Sequence, residues 1–319
     1  MIAHLLENRV YRTYRGGKHI DAFLGKDCGE DSYFPEDWTA SVTRAFNPGR
    51  EEIVEGYGRL TDGREIRTVQ EEPLRCLVKL LDSAERLVIQ VHPTREFARE
   101  YFHSEYGKTE CWYFLDCDAD ACVYLGFKEG ITPEAWRDVF DRQDIPAMLG
   151  MLHRIPVQKG DCIFVDGGLP HAIGKGCFMI EIQEPSDLMG VTERKTPSGN
   201  PIADVKIHGG IGVDNMMKMF HYRGEALESI LAKHRLKLRQ EENGVARLVD
   251  REQTDKFSLS LLSSNASAVP DHPCGVIVIV AGEGELNGIP VKAGDRLYYI
   301  KEEILTLQSK GDCKAVLCC

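Results

Sequence analysis

The chain has 319 residues, of which 43% are hydrophobic and 28% charged, and its formal net charge at pH 7 is −11. This composition predicts a soluble globular protein of two domains, and the negative charge argues against nucleic acid or an anionic membrane as a partner. An anionic substrate would therefore need a locally basic pocket to offset the repulsion.

The N-terminal apolar run is too short for a signal peptide, and no stretch approaches the length of a membrane span. The eleven cysteines are scattered and include no CxxC pair, which argues against a zinc ribbon or a dithiol redox motif. We therefore expect reduced thiols and a cytoplasmic location.

The first half of the chain predicts strands interrupted by two capped helices. These elements are strands over 87–92, 111–115 and 122–127, the last two paired around an Asp-rich turn, and helices over 96–106 and 132–144. A threonine precedes each helix, Thr94 and Thr132, as expected for an N-cap residue.

The second half predicts strands over 155–165 and 177–183, a helical stretch over 213–235, and short strands from about 236 onward. Two similar turns, Lys159-Gly160-Asp161 and Ala293-Gly294-Asp295, each lead into an apolar strand. The pair indicates a duplicated β-barrel, with a larger domain over 1–235 and a smaller one over 236–319. The alternative is a single all-β sandwich with long insertions.

Four polar residues in the first predicted barrel have the chemistry of a metal site. Gln90 and His92 project to the same face of their strand because side chains alternate. Glu110 lies on the next strand, and His171 lies in a turn before another strand. Zinc accepts histidine nitrogen and carboxylate oxygen, and buried polar groups without partners are costly, so convergence on one cation is the favoured interpretation.

Three segments carry a family resemblance: IQVHP over 89–93, GKTECWYFLD over 107–116 and PHAIGKGCFMIEIQEPSD over 170–187. Together with the DWTAS element at 37–41 they resemble the type I mannose-6-phosphate isomerases, a cupin family. The resemblance spans roughly residues 37–200. It implies an all-β fold of two cupin-like (jelly-roll) barrels with a few peripheral helices.

The resemblance also implies roles for individual residues. The family's zinc ligands correspond to Gln90, His92, Glu110 and His171, with one zinc per chain. Its pocket lysine corresponds to Lys108, and its acidic pair corresponds to Glu181 and Asp187, candidates for the catalytic base. Sequence alone does not rank these two acids.

Two family positions differ in this chain. A serine that helps to hold the substrate phosphate is replaced by Val88, and an arginine assigned to substrate binding or catalysis is replaced by Val191. Arg194 lies three positions further on, so a shift in the loop would let it substitute. Val88 is expected to face the pocket by strand alternation.

The function implied is the interconversion of mannose 6-phosphate and fructose 6-phosphate through an enediol, with a small-molecule partner and a monomeric or homodimeric chain. One alternative is an isomerase of a different or unphosphorylated sugar, because Val88 and Val191 remove expected polar contacts. Another is a non-catalytic, metal-containing sugar-binding cupin. A metal-dependent dioxygenase is disfavoured because glutamine occupies one ligand position.

Overall fold

The computed structural model describes residues 1–27, 29–239 and 241–319, and it consists mainly of antiparallel β-sheet. The strands up to residue 191 are β1 (Ile2–His4), β2 (Arg9–Val10), β3 (Glu36–Thr39), β4 (Leu77–Ser83), β5 (Gln90–Val91), β6 (Glu110–Cys117), β7 (Cys122–Phe127), β8 (Leu152–Pro156), β9 (Cys162–Val165), β10 (His171–Ile173), β11 (Cys177–Gln183) and β12 (Gly190–Val191). The later strands are β13 (Arg235–Leu236), β14 (Glu241–Glu242), β15 (Val245–Val249), β16 (Leu259–Leu262), β17 (Ala266–Ala268), β18 (Cys274–Ala281), β19 (Glu283–Leu286), β20 (Ile289–Lys292), β21 (Arg296–Ile300), β22 (Leu305–Gln308) and β23 (Lys314–Cys318). The helices are α1 (Lys18–Phe23), α2 (Ile66–Val69), α3 (Arg95–Phe102), α4 (Pro133–Asp141), α5 (Ile145–Gly150), α6 (Asp204–His208), α7 (Val213–Met217) and α8 (Leu227–His234).

Two sheets form the N-terminal barrel. One has the strand order β13-β9-β6-β11-β4-β3-β2, and the other has the order β12-β5-β10-β7-β8. Their facing sides share an apolar core that includes Trp112, Val123 and Met179. On β11, Met179 points into this barrel, whereas Ile180 and Ile182 belong to the core on the opposite side of the sheet. Glu181 therefore lies on the inner face, where strand alternation places it.

A second pair of sheets forms the C-terminal barrel, with strand orders β1-β21-β18-β23-β16-β15-β14 and β17-β22-β19-β20. The two larger sheets of the molecule contribute to one shared apolar core, for example through Val78 and Val276. The predicted boundary after residue 235 falls inside β13, which pairs with β9 of the first barrel. β1 lies in the predicted first domain by sequence, but it pairs with β21 of the second barrel.

The predicted fold class is confirmed: within the described part of the chain, four antiparallel sheets carry a few short helices. The predicted helix caps are also present. The hydroxyl oxygen of Thr94 accepts a hydrogen bond from the backbone N–H of Phe97, and that of Thr132 accepts one from Ala135. Both helices end earlier than predicted, and the segment after Asp144 forms the separate helix α5.

The predicted pairing of the strands at 111–115 and 122–127 is wrong. β6 pairs with β9 and β11 in one sheet, whereas β7 pairs with β8 and β10 in the other. The Asp-rich turn therefore crosses from one sheet to the other, and both strands bury apolar side chains, such as Trp112 and Val123, in the same interior. Among the described residues, no helix is long and apolar enough to cross a membrane.

Candidate active site

Three side chains converge at one point inside the N-terminal barrel. His92 follows β5, Glu110 begins β6 and His171 begins β10, and all three are buried. His92 Nε2 lies 3.2 Å from Glu110 Oε2, and His171 Nε2 lies 3.3 Å from Glu110 Oε1. Their donor atoms all lie within 4.8 Å of one another, so the three residues form a site suitable for one metal ion.

Hydrogen bonds at the far side of each imidazole orient this cluster. Nδ1 of His92 donates to the carbonyl oxygen of Leu188 at 3.1 Å, and Nδ1 of His171 donates to that of Leu169 at 2.8 Å. This pattern leaves each Nε2 lone pair directed at the cluster, as is usual for metal-ligating histidines. In the described part of the chain, neither carboxylate oxygen of Glu110 nor His171 Nε2 has a hydrogen-bond partner.

The electrostatics of the cluster also suit a cation. Burial lowers the pKa of both histidines, and the charge of Lys108 lowers that of His92 further. The imidazoles are therefore neutral at pH 7. Burial alone would raise the pKa of Glu110, but the combined effects of neighbouring groups, chiefly Lys108 and His171, lower it. Two neutral imidazoles and a carboxylate, all buried and close together, fit a divalent metal such as zinc.

Gln90 lies beside this cluster. It is the direct cross-strand partner of His171, and side chains of directly opposed residues in antiparallel strands project on the same face. Gln90 is buried and lines the adjacent cavity. Its position is compatible with a fourth ligand, which stays a prediction.

A cleft enclosing about 730 Å³, counting the part open to solvent, adjoins the cluster. Its charged lining consists of four cations (Arg12, Lys79, Lys108 and Lys206) and three carboxylates (Glu36, Glu181 and Asp187). Three predicted site residues, Lys108, Glu181 and Asp187, therefore face one cavity.

Lys108 bridges the cavity and the cluster. Its Nζ lies 3.0 Å from Nε2 of His92 and 3.3 Å from Oε2 of Glu110, and its side chain is buried. The ammonium group is thus placed to compensate negative charge where the cavity meets the His92–Glu110–His171 cluster.

Glu181 is held by a lysine on the neighbouring strand. Lys79 lies directly opposite it in the β4–β11 pair, and Lys79 Nζ lies 3.1 Å from Glu181 Oε2. Burial raises the pKa of Glu181, although Lys79 opposes this effect. Lys79 Nζ is also 3.8 Å from Glu36 Oε2.

Asp187 is engaged on both carboxylate oxygens. Arg12 donates to them at 3.1 and 3.0 Å, and the backbone N–H of Phe46 donates at 2.8 Å. The Nε–H of Arg12 donates to Glu36 at 3.0 Å. Despite the opposing effect of burial, Arg12 lowers the pKa of Asp187 and helps to lower that of Glu36 to about 2. Asp187 therefore stays ionised and committed to Arg12.

Arg194 is not part of this cavity lining. Its side chain is 46% exposed, forms an ion pair with the exposed Asp204 at 3.2 Å, and packs 5.5 Å from the ring of Phe140. Its location argues against the predicted role, because the loop after β12 carries it to the surface. Val88 and Val191 do line the cavity, and Val191 is the cross-strand partner of Gln90.

Sequence reasoning missed four charged residues of the cavity: Arg12, Glu36, Lys79 and Lys206. A signal was available for Lys79, a lysine within the apolar run CLVKLL, since buried lysines need a partner. Arg12 has no such signal because it lies in a turn-rich segment 175 residues from Asp187 in sequence.

No protein-family model matches the chain. The sequence is 40% identical over 115 residues to the mannose-6-phosphate isomerase of Bacillus subtilis (strain 168), covering 35% of this chain and 34% of that protein. It is 40% identical over 111 residues to the mannose-6-phosphate isomerase of Streptococcus mutans, covering 35% of this chain and 34% of that protein. The aligned segment thus spans about a third of the length of these curated relatives.

The similarity of fold extends over the whole chain. The crystal structure of the mannose 6-phosphate isomerase from Bacillus subtilis superposes with a TM-score of 0.76 at 20% identity, covering 100% of this chain and 99% of that one. A mannose 6-phosphate isomerase bound with zinc and yttrium gives a TM-score of 0.70 at 13% identity, with 99% of each chain covered. The resemblance predicted from sequence is confirmed.

Proposed function

We propose that this protein is a zinc-dependent isomerase that interconverts mannose 6-phosphate and fructose 6-phosphate. The observation that carries the proposal is the buried His92–Glu110–His171 cluster, whose donor atoms all lie within 4.8 Å of one another beside a cavity lined with charged side chains. The names of the curated relatives support the choice of reaction and substrate.

We assign the metal to His92, Glu110, His171 and Gln90, one zinc ion per chain. When bound, zinc acts as a Lewis acid that polarises the sugar carbonyl and favours loss of the proton on the neighbouring carbon. Lys108, in contact with both His92 and Glu110, supplies a fixed positive charge beside that oxygen.

Glu181 is our candidate for the base that carries the proton between the two carbons. Its carboxylate faces the cavity, and Lys79 fixes its orientation. Asp187 is less suitable because Arg12 and the Phe46 amide already occupy both its oxygens. We therefore assign Asp187 to positioning Arg12 and the cavity wall. To act as this base, Glu181 must place a carboxylate oxygen within hydrogen-bond reach of the carbon-bound proton of the sugar.

Apolar side chains complete the cavity. Leu87, Val88, Met189 and Val191 line it and keep water from the reacting carbons. We propose that the protein is a monomer or homodimer, and its free thiols favour the cytoplasm as its location.

A second candidate reaction is the isomerisation of an unphosphorylated sugar. Val88 and Val191 favour it because both present methyl groups to the cavity in place of the family's polar contacts. A panel of free and phosphorylated aldoses separates the two reactions, and turnover of any of them excludes a non-catalytic sugar-binding role.

The direct test compares two histidine variants. His171→Asn shortens the side chain, so that no atom reaches the position of Nε2, whereas His103→Asn removes an exposed imidazole at a left-handed position that asparagine tolerates. We expect His171→Asn to lose zinc and turnover of mannose 6-phosphate, and His103→Asn to keep both. Full activity in His171→Asn, or in chelator-treated wild type, contradicts the proposal.

A further inference from the structure

Lys206 on α6 is a buried cation of the cavity with spare hydrogen-bonding capacity. Its side chain is 9% exposed, and its Nζ donates to the carbonyl oxygen of Phe46 at 2.8 Å. An ammonium group has three hydrogens to donate, and this contact uses one. Because Lys206 also lines the cavity, the remaining hydrogens are available to a ligand there.

The other three cations of the cavity are already paired. Arg12 is bound to Asp187 and Glu36, Lys79 to Glu181, and Lys108 to Glu110. Lys206 differs, because no carboxylate oxygen of a described residue lies within 4.0 Å of its Nζ. The unpaired positive charge of this cavity is therefore concentrated at Lys206.

Such a charge is costly to bury unless a counterion arrives. Burial lowers the pKa of Lys206 to about 8, and Asp187 partly offsets this effect, so most molecules carry the ammonium form at pH 7. The net charge of the chain is −11, which makes a local cation more important for any anionic ligand.

Lys206 lies close to Val191, the position where this chain lacks the arginine expected from the resemblance. α6 packs against β12, the strand that carries Val191. Val191 and Val88 offer no donor to a phosphate, so neither position can hold it as a polar side chain would. Lys206, on the adjoining helix α6, provides the hydrogen-bond donor and the positive charge that Val191 lacks.

We propose that Lys206 binds the phosphate group of the substrate and thereby makes this cavity specific for a sugar phosphate over the free sugar. The assignment rests on the function proposed above and adds to it the residue that distinguishes the two candidate substrates. Lys206 contacts the phosphate and takes no part in proton transfer.

The test uses zinc-loaded full-length protein and the variant Lys206→Met, which keeps the length of the side chain and removes the charge. Lys218→Met, an exposed lysine of the neighbouring segment, is the matched control. We expect Lys206→Met to raise KM for mannose 6-phosphate about 10- to 100-fold, the factor expected from a hydrogen bond to a charged group, with a smaller change in kcat. Lys206→Arg should recover part of this loss.

Calorimetric titration with inorganic phosphate provides a readout independent of turnover. Wild type and Lys218→Met should bind phosphate, and Lys206→Met should bind it at least 10-fold more weakly while keeping its zinc content and thermal stability. The assignment is overturned if wild type does not bind phosphate or if KM and phosphate affinity in Lys206→Met stay within twofold of wild type. Phosphate binding that depends on Lys206 without any turnover would instead refute the proposed reaction and keep the anion site.

Discussion

Replacing Arg12 with methionine should destabilise the protein far more than replacing Arg194 with methionine. Arg12 donates to both oxygens of Asp187 and to Glu36, and all three side chains are buried. Removing one partner of a buried ion pair leaves uncompensated charge and costs about 3–5 kcal/mol. Glu36 and Asp187 each keep other donors, so we expect a loss near 3 kcal/mol.

Arg194 is the matched control because its ion pair with Asp204 is exposed. An exposed pair contributes at most about 1 kcal/mol, so Arg194→Met should change the free energy of unfolding by less than that. The assay is urea unfolding followed by tryptophan fluorescence, since Trp38 lies 4.8 Å from the Arg12 guanidinium.

The pH dependence of the free energy of unfolding provides a second test of the role of Arg12. In wild type the pKa values of Glu36 and Asp187 lie below their unfolded values, so both are ionised in the folded and unfolded states from pH 7 to 5. Their contribution to stability is lost only as the pH falls further, through the range between unfolded and folded pKa values. In Arg12→Met the largest lowering cause is removed, so we expect both pKa values to rise and protonation of the folded state between pH 7 and 5 to relieve part of the unfavourable charge.

The stability difference between wild type and Arg12→Met should therefore shrink as the pH falls from 7 to 5. Equal losses in the two arginine variants, or a deficit of Arg12→Met that does not change with pH, would refute the reasoning that Arg12 neutralises these two carboxylates.

Three further predictions concern the cavity and α3. Above pH 8 the KM for a sugar phosphate should rise as Lys206 loses its proton, while the charges of Arg12 and Asp187 facing it persist; a KM that is constant from pH 7 to 9 would contradict this. Val88→Ser should lower the KM for mannose 6-phosphate without changing that for free mannose, because it adds a donor to the cavity lining. Thr94→Ala should cost about 1 kcal/mol in urea unfolding through loss of the N-cap of α3, with no change in zinc content.

The sequence predicted local features of the fold well where chemistry and spacing act over a few residues. The caps at Thr94 and Thr132 are examples, because a hydroxyl followed by an early acid or proline specifies a helix start. The partners of β6 and β7 were not predictable from their alternation. That pattern specifies which face is buried but not which sheet a strand joins.

In the candidate site, too, local features were predictable from the sequence and long-range contacts were not. Short-range motifs identified Glu110, His171 and Lys108, which the fold brings together. Arg12 and Lys206 acquire their positions from contacts with Asp187 and Phe46 that cross large sequence separations. Arg194 looked equivalent to a missing arginine by spacing alone, yet the path of the loop after β12 places it on the surface.

Anomalous diffraction at the zinc edge, from crystals grown with one equivalent of zinc, tests the metal site most directly. We predict a single strong peak at about 2.0–2.2 Å from Nε2 of His92, an oxygen of Glu110 and Nε2 of His171. A peak at another location, or none in zinc-treated crystals, would contradict the assignment of these residues as ligands and the isomerase mechanism derived from it.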